Sequence, residues 1–240
     1  TYYGLISEID HHLGRIIKYL KKTGQYDSTL IVFTSDHGEQ LGDHFLFGKT
    51  GYFDASYAIP LIIRDPEVVD SNLTKSPPLG NKIEEFTEAI DLMPTILDWL
   101  DLEIPEELDG YSLLPFLSGE AQNIWRKEVH WEFDFRSIGS YQTMIEKQLR
   151  LSPDQCSLTV IRDESYKYVH MTALPPLLFD LKKDPNEFIN YAENQDYKHI
   201  VLDYSQKMLS WSMLHRDRTL VNINMESGSL IHWKGSRIFV

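Results

Sequence analysis

Thr29-Leu30-Ile31-Val32-Phe33-Thr34-Ser35-Asp36-His37-Gly38-Glu39-Gln40-Leu41-Gly42-Asp43-His44 is the stretch that decides how this chain is read. The apolar, β-branched run from Ser28 to Phe33 reads as a buried core strand, and it leads directly into a carboxylate and an imidazole on adjacent positions. Neighbouring side chains on a strand point to opposite faces, so Asp36 and His37 converge only where the chain has begun to turn. Gly38 allows that turn and Gly42 a second one. One hard oxygen and one borderline nitrogen donor suit a divalent metal. In open α/β sheets, ligand sites lie at the carboxyl end of the strands. Two ligands do not close a metal site, so the others must come from elsewhere in the fold.

Upstream, Tyr3, Leu5, Ile6, Ile9, Leu13, Ile16, Ile17 and Leu20 recur at three- and four-residue spacing, which predicts an amphipathic helix to about Lys22 with Gly24 as its stop. The chain opens inside this helix, at Thr1, and so reads as the later part of a longer protein. Downstream, residues 35–51 form a long, glycine-punctuated polar loop, a pattern that favours function over simple connection. Ile59-Pro60-Leu61-Ile62-Ile63 predicts a second core strand, residues 70–82 a polar loop, and Thr87 to Leu100 a helix. After about residue 125 the texture changes. Val129 to Phe135, Ser157 to Arg162, Lys167 to Met171 and Leu177 to Leu181 read as four strands, the middle two joined as a hairpin by Asp163-Glu164-Ser165. Asp184-Pro185-Asn186-Glu187 is expected to introduce a helical stretch, Tyr197 to His215 is a long helix, and Val221 to Val240 reads as an arm for subunit contact. The fold class is α/β, followed by a small antiparallel sheet with helices.

Two hundred and forty residues with 42% hydrophobic and 25% charged content are ordinary for a globular chain able to bury a sizeable core. The net charge of −13 argues against nucleic acid and against an anionic membrane surface as partners. No apolar stretch reaches membrane-spanning length. Cys156 is the sole cysteine, which excludes an internal disulfide and a thiolate zinc cluster. The sequence does not give the compartment, and the lone cysteine leans toward the cytoplasm.

Behind the Asp-His pair come Asp43, His44 and Lys49, the last in Phe45-Leu46-Phe47-Gly48-Lys49-Thr50-Gly51-Tyr52-Phe53-Asp54. This arrangement resembles the sulfatases of the alkaline phosphatase superfamily, and within them the bacterial phosphonate monoester hydrolases, which are also phosphodiesterases. The resemblance is carried by Tyr2 to Asp10, Phe33 to Glu39, Gly51 to Pro66, and Tyr166-Lys167-Tyr168-Val169-His170 followed by Leu174 to Leu181. It implies that residues 1–124 are the later part of an α/β core built on an alkaline-phosphatase-like mixed sheet with flanking helices, and carry half the metal site. Residues 125–240 are then a carboxy-terminal subdomain. It further implies Asp36 and His37 as metal ligands, Lys49 as the catalytic and substrate-binding lysine, and His44 as a substrate-side residue. The cofactors implied are a divalent ion, with Mn2+ favoured by the imidazole and Ca2+ or Zn2+ as alternatives, and a formylglycine nucleophile.

That nucleophile belongs to a Cys-x-Pro/Ala-x-Arg motif which is absent here, and Cys156, in Asp154-Gln155-Cys156-Ser157, lacks the Pro and Arg. The formylglycine is therefore expected upstream of this chain. The activity implied is hydrolysis of phosphonate monoesters or phosphodiesters, with an arylsulfatase as one alternative and a catalytically incompetent structural fragment as another. The partners implied are the missing amino-terminal half, a small anionic ester substrate and a second copy of the chain.

Overall fold

A computed structural model of the chain describes residues 2–66, 80–119, 124–136 and 144–215, and the backbone of 223–226 and 229–232. Most of the 70–82 loop and most of the 221–240 arm lie outside the described residues; within the arm, Ile223–Glu226 and Ser229–His232 pair as an antiparallel hairpin.

Helix α1 spans Tyr2–Lys22. It ends in a Schellman cap: Gly24 takes φ 70°, its N–H donates to the Lys21 carbonyl, and the Gln25 N–H reaches back to that of Leu20 at 2.9 Å. The predicted apolar stripe forms, yet none of its residues is fully buried. Tyr3, Leu5, Ile6, Ile9 and Ile16 are all exposed, Tyr3 at 77%.

Strand β1 (Ile31–Thr34) pairs antiparallel with β2 (Leu61–Arg64), Phe33 facing Ile62. β1 is half-buried along its length rather than fully buried, and Ile62 is 63% exposed. A two-stranded ribbon has too few neighbours to cover both of its faces. Between these strands runs the loop of the Asp-His pair, followed by the short helix α2 (Asp54–Tyr57).

Helices α3 (Leu92–Trp99) and α4 (Leu114–Leu117) come next, α3 preceded by a 3-10 turn at Ala89–Asp91. Asp91 is the hub of this region and is completely buried. Its carboxylate accepts the Arg126 guanidinium fork, the Tyr111 N–H at 2.8 Å and the Glu88 N–H at 2.7 Å. Such bidentate pairing with every lone pair satisfied is what makes a buried charge tolerable.

The larger sheet is the antiparallel meander β3 (Glu128–Asp134), β4 (Ser157–Asp163), β5 (Tyr166–Met171) and β6 (Leu177–Asp180), in that order. Helix α5 (Met144–Leu149) lies between β3 and β4, and α6 (Lys198–Leu214) follows β6. The alternation of strand side chains gives the sheet two apolar faces. On one, Ile161, Tyr168 and Leu178 pack with Tyr197, Tyr204 and Met208 of the α6 region. On the other, Leu158, Val160, Val169 and Phe179 are covered by Tyr52, Trp131 and Phe133. Tyr52 stacks over Phe179 at 5.9 Å, and Tyr57 over Trp131 at 4.8 Å. The segment that follows the Asp-His loop is thus the lid on the second face of this sheet.

The helical stretch expected at Asp184-Pro185-Asn186-Glu187 is instead a turn. Asp184 Oδ2 accepts the Ile189 N–H at 2.7 Å, Glu187 takes φ 59°, and the long helix starts only at Lys198.

Candidate active site

The chain leaves β1 at Thr34 and turns at once. The Asp36 carboxylate accepts the N–H of His37 at 3.0 Å, and its other oxygen lies 3.6 Å from His37 Nε2. The two side chains therefore converge, as the Asp-His-Gly sequence requires. The His37 Nδ1 is 2.6 Å from the Gly38 carbonyl, which can only accept, so Nδ1 carries a proton and the neutral form of the ring presents its lone pair at Nε2. Fixing one ring nitrogen on a backbone carbonyl and freeing the other is the arrangement by which proteins orient a histidine toward a metal. The Asp36 side chain is 85% exposed and that of His37 36%, so both donors are open to an incoming ion. With bonds of about 2.0–2.2 Å, oxygen and nitrogen donors at this separation can share one ion. The donor set fits a divalent cation. No group of three or more His, Cys, Asp and Glu side chains comes together at metal-binding distance among the described residues.

Gly38 is held where it is by α2. Its N–H donates to the Ser56 carbonyl at 2.8 Å, and a Cβ at this position would fall 2.1 Å from the Ala55 carbonyl oxygen. Only glycine permits that approach. Gln40, completely buried, donates from Nε2 to the Thr50 carbonyl at 2.9 Å and to Ser56 Oγ at 3.0 Å. Glu39 accepts the N–H of Gly48 at 2.6 Å and of Leu41 at 3.2 Å, and these two bonds hold its carboxyl below the ordinary range.

The structure brings Asp36 and His37 together. Lys49 is exposed, and no hydrogen bond or ion pair engages it among the described residues. His44 takes φ 52° and stacks on Phe53 at 3.7 Å, with Phe188 4.9 Å away. There it lines a cavity of about 160 Å³ with Asp43, Asp54, Glu187 and Phe188. The sequence reading gives no site role to Asp54, to Glu187 or to the residue that joins them, Lys167. Its one sequence signal is a lysine that alternates with Val169 and Met171 on a core-facing strand. Burial pushes the Glu187 carboxyl up, with the Lys167 ammonium opposing that shift.

Residues 1–102 match the sulfatase family profile. The chain is 54% identical over 222 residues to the multifunctional alkaline phosphatase superfamily protein PehA of Trinickia caryophylli, covering 92% of this chain and 41% of that protein. It is 33% identical over 209 residues to an arylsulfatase of Clostridium perfringens, covering 87% of this chain and 38% of the relative. Among solved structures it superimposes on the phosphonate monoester hydrolase of Agrobacterium radiobacter with a TM-score of 0.85 at 45% identity, over 96% of this chain and 44% of that one. The chain thus spans about two-fifths of the length of the curated relatives it matches.

Proposed function

We propose, because this chain belongs to the sulfatase family of the alkaline phosphatase superfamily, that it is the carboxy-terminal part of a metal-dependent hydrolase cleaving phosphonate monoesters and phosphodiesters. The observation that carries this reading is the Asp36–His37 pair, with Nδ1 held on the Gly38 carbonyl and Nε2 3.6 Å from the carboxylate. Asp36 and His37 would hold the ion, with Mn2+ favoured over Ca2+ by the imidazole donor. When bound, the ion polarises the ester oxygens. The exposed ammonium of Lys49 takes up negative charge on the transferring group. His44, on its aromatic shelf, faces the substrate side of the loop.

The nucleophile, a formylglycine, comes from outside this chain. Cys156 is completely buried, its Sγ 3.3 Å from the Ser152 carbonyl, and burial pushes its thiol up, the opposite of an activated sulfur. The rest of the protein packs on the exposed apolar face of α1 and on the β1–β2 ribbon, and the assembled protein is a homo-oligomer. Alone, this chain binds metal weakly and turns over no ester.

The likeness to the Clostridium arylsulfatase supports a second reading, sulfate ester hydrolysis by the same site. Both are tested on the whole protein that carries this chain, using p-nitrophenyl phenylphosphonate, bis(p-nitrophenyl) phosphate and p-nitrophenyl sulfate. The phosphorus esters are expected to be the better substrates, and Lys49→Ala to lower kcat by about 10²–10³. A preference for the sulfate would select the second reading. Metal analysis of Asp36→Asn and His37→Gln decides the ligands: metal content unchanged in both variants refutes the assignment.

A further inference from the structure

Arg162 and Lys167 stand directly opposite one another on β4 and β5, on the sheet face that Tyr52 covers. Two cations so placed repel, and the Lys167 side chain is completely buried. Asp54, the first residue of α2, reconciles them by giving one oxygen to each. Its Oδ1 lies 2.5 Å from Lys167 Nζ, and its Oδ2 accepts Arg162 Nε–H at 3.1 Å. Glu187 completes the set by pairing with Lys167 and accepting the Asp54 N–H at 3.3 Å. Two cations and two carboxylates balance. Lys167 Nζ also donates to the Tyr52 carbonyl at 3.2 Å, so this one ammonium grips the chain on both sides of Phe53.

The far end of the same short helix touches the Asp-His loop. The Ser56 carbonyl receives the Gly38 N–H, Ser56 Oγ receives Gln40, and the Ala55 carbonyl abuts Gly38. Gly38 in turn supplies the carbonyl that fixes the His37 proton on Nδ1. A continuous set of contacts therefore runs from Lys167, through Asp54 and α2, to Gly38 and His37.

We propose that Lys167 is a positioning residue for the Asp36–His37 pair, holding α2, through Asp54 and Glu187, in the place that sets the tautomer and aim of His37. The significance of this tie for metal binding rests on the hydrolase reading above; the tie itself does not. Breaking it releases α2 from the sheet, loosens Gly38 and frees the imidazole to take the Nε2–H tautomer, which blocks the nitrogen that faces Asp36.

The test is ¹⁵N NMR of the His37 imidazole in the whole protein that carries this chain, at pH 8.5, well above the ordinary histidine range of about 6.5, with His37→Gln to identify the signal. Wild type is expected to show the Nδ1–H form. Lys167→Met and Asp54→Asn are expected to shift His37 predominantly to Nε2–H and to weaken Mn2+ or Zn2+ binding at that signal by tenfold or more. Asp54→Asn keeps the side-chain volume and decides the matter should Lys167→Met not fold. Met208→Ala, a core truncation on the opposite face of the sheet, is expected to lower the melting temperature and leave the tautomer alone. The proposal is overturned if wild type lacks the Nδ1–H form, if the two tie variants retain it, or if Met208→Ala shifts it as far. A wild-type signal that ignores both metals would count against the hydrolase reading, while the tautomer comparison would still decide the tie.

Discussion

Replacing Gly38 by alanine adds one methyl group at the closest backbone approach in the site. The new Cβ would stand 2.1 Å from the Ala55 carbonyl oxygen, 3.0 Å from its carbon and 3.2 Å from that of Ser56. All three are main-chain atoms, so no flexible side chain can swing aside, and the two segments must part by about an ångström to reach ordinary contact. Overpacking of this kind costs about 1–3 kcal/mol. Opening the gap also stretches the 2.8 Å Gly38–Ser56 hydrogen bond, worth about 1 kcal/mol. The lower entropy of alanine in the unfolded chain returns about 0.4–1 kcal/mol. The net destabilisation is about 1–3 kcal/mol, which lowers the melting temperature of a chain this size by about 3–10 °C. Thermal melts by circular dichroism read this directly. Gly14→Ala is the internal control: it lies in α1 with no atom within 4 Å of an added Cβ, and it should melt no lower than wild type. A Gly38→Ala protein that melts with wild type, or a Gly14→Ala protein that falls as far, would refute the packing argument.

Asp91→Ala should cost about 3–5 kcal/mol, since it removes the bidentate partner of the largely buried Arg126 guanidinium, leaving it Glu88 at 3.5 Å, and unpairs two backbone N–H groups; a urea midpoint within error of wild type would contradict this. His130 stacks on Trp211 at 4.5 Å, and its buried Nε2 has no hydrogen-bond partner among the described residues. Burial, aided by His215, Arg126 and Lys207, lowers its pKa to about 3. The unfolded chain therefore binds one more proton than the folded one between the ordinary histidine value of about 6.5 and that lowered value, and stability falls with acid across this window by up to about 1.4 kcal/mol per pH unit. His130→Phe should flatten that slope, and denaturant titrations at pH 7, 6 and 5 measure it. Glu39→Gln weakens the acceptor of the Gly48 and Leu41 N–H groups, so the Gly48 amide should exchange several-fold faster with deuterium. An unchanged rate would show that the carboxylate does not hold the loop.

What the sequence disclosed and what it withheld follow from the range of the interactions. Strands β3 to β6 were legible because alternation and β-branched residues act locally, and Asp163 to Ser165 announces its hairpin in three residues. The convergence of Asp36 and His37 was legible for the same reason, since a glycine follows immediately. The Asp184–Glu187 segment misled because its helix-start composition is overridden by Glu187, which is committed to a lysine on a neighbouring strand. The Lys167 tie itself spans more than a hundred residues from Asp54, and no periodicity carries a contact of that separation. The half-buried state of β1 has a similar cause, because a strand's burial is set by neighbours and not by its own composition.

The loop that starts at Gly38 closes on itself before it goes anywhere. Gly38 is bonded to Ser56, Gln40 N–H to the Gly48 carbonyl, and Gln40 Nε2 to Thr50, while residues 41–47 project beyond this neck, with Phe45 and Phe47 nearly bare. Lengthening a loop whose neck is already pinned costs little, about 0.6 kcal/mol for each doubling. The solvent-facing positions of the tip, Phe45 and Phe47, are therefore free to be exchanged while His44 on Phe53, the neck, and the two donors next to it stay in register. Diversification of what the site accepts has a place to happen that leaves the chemistry untouched.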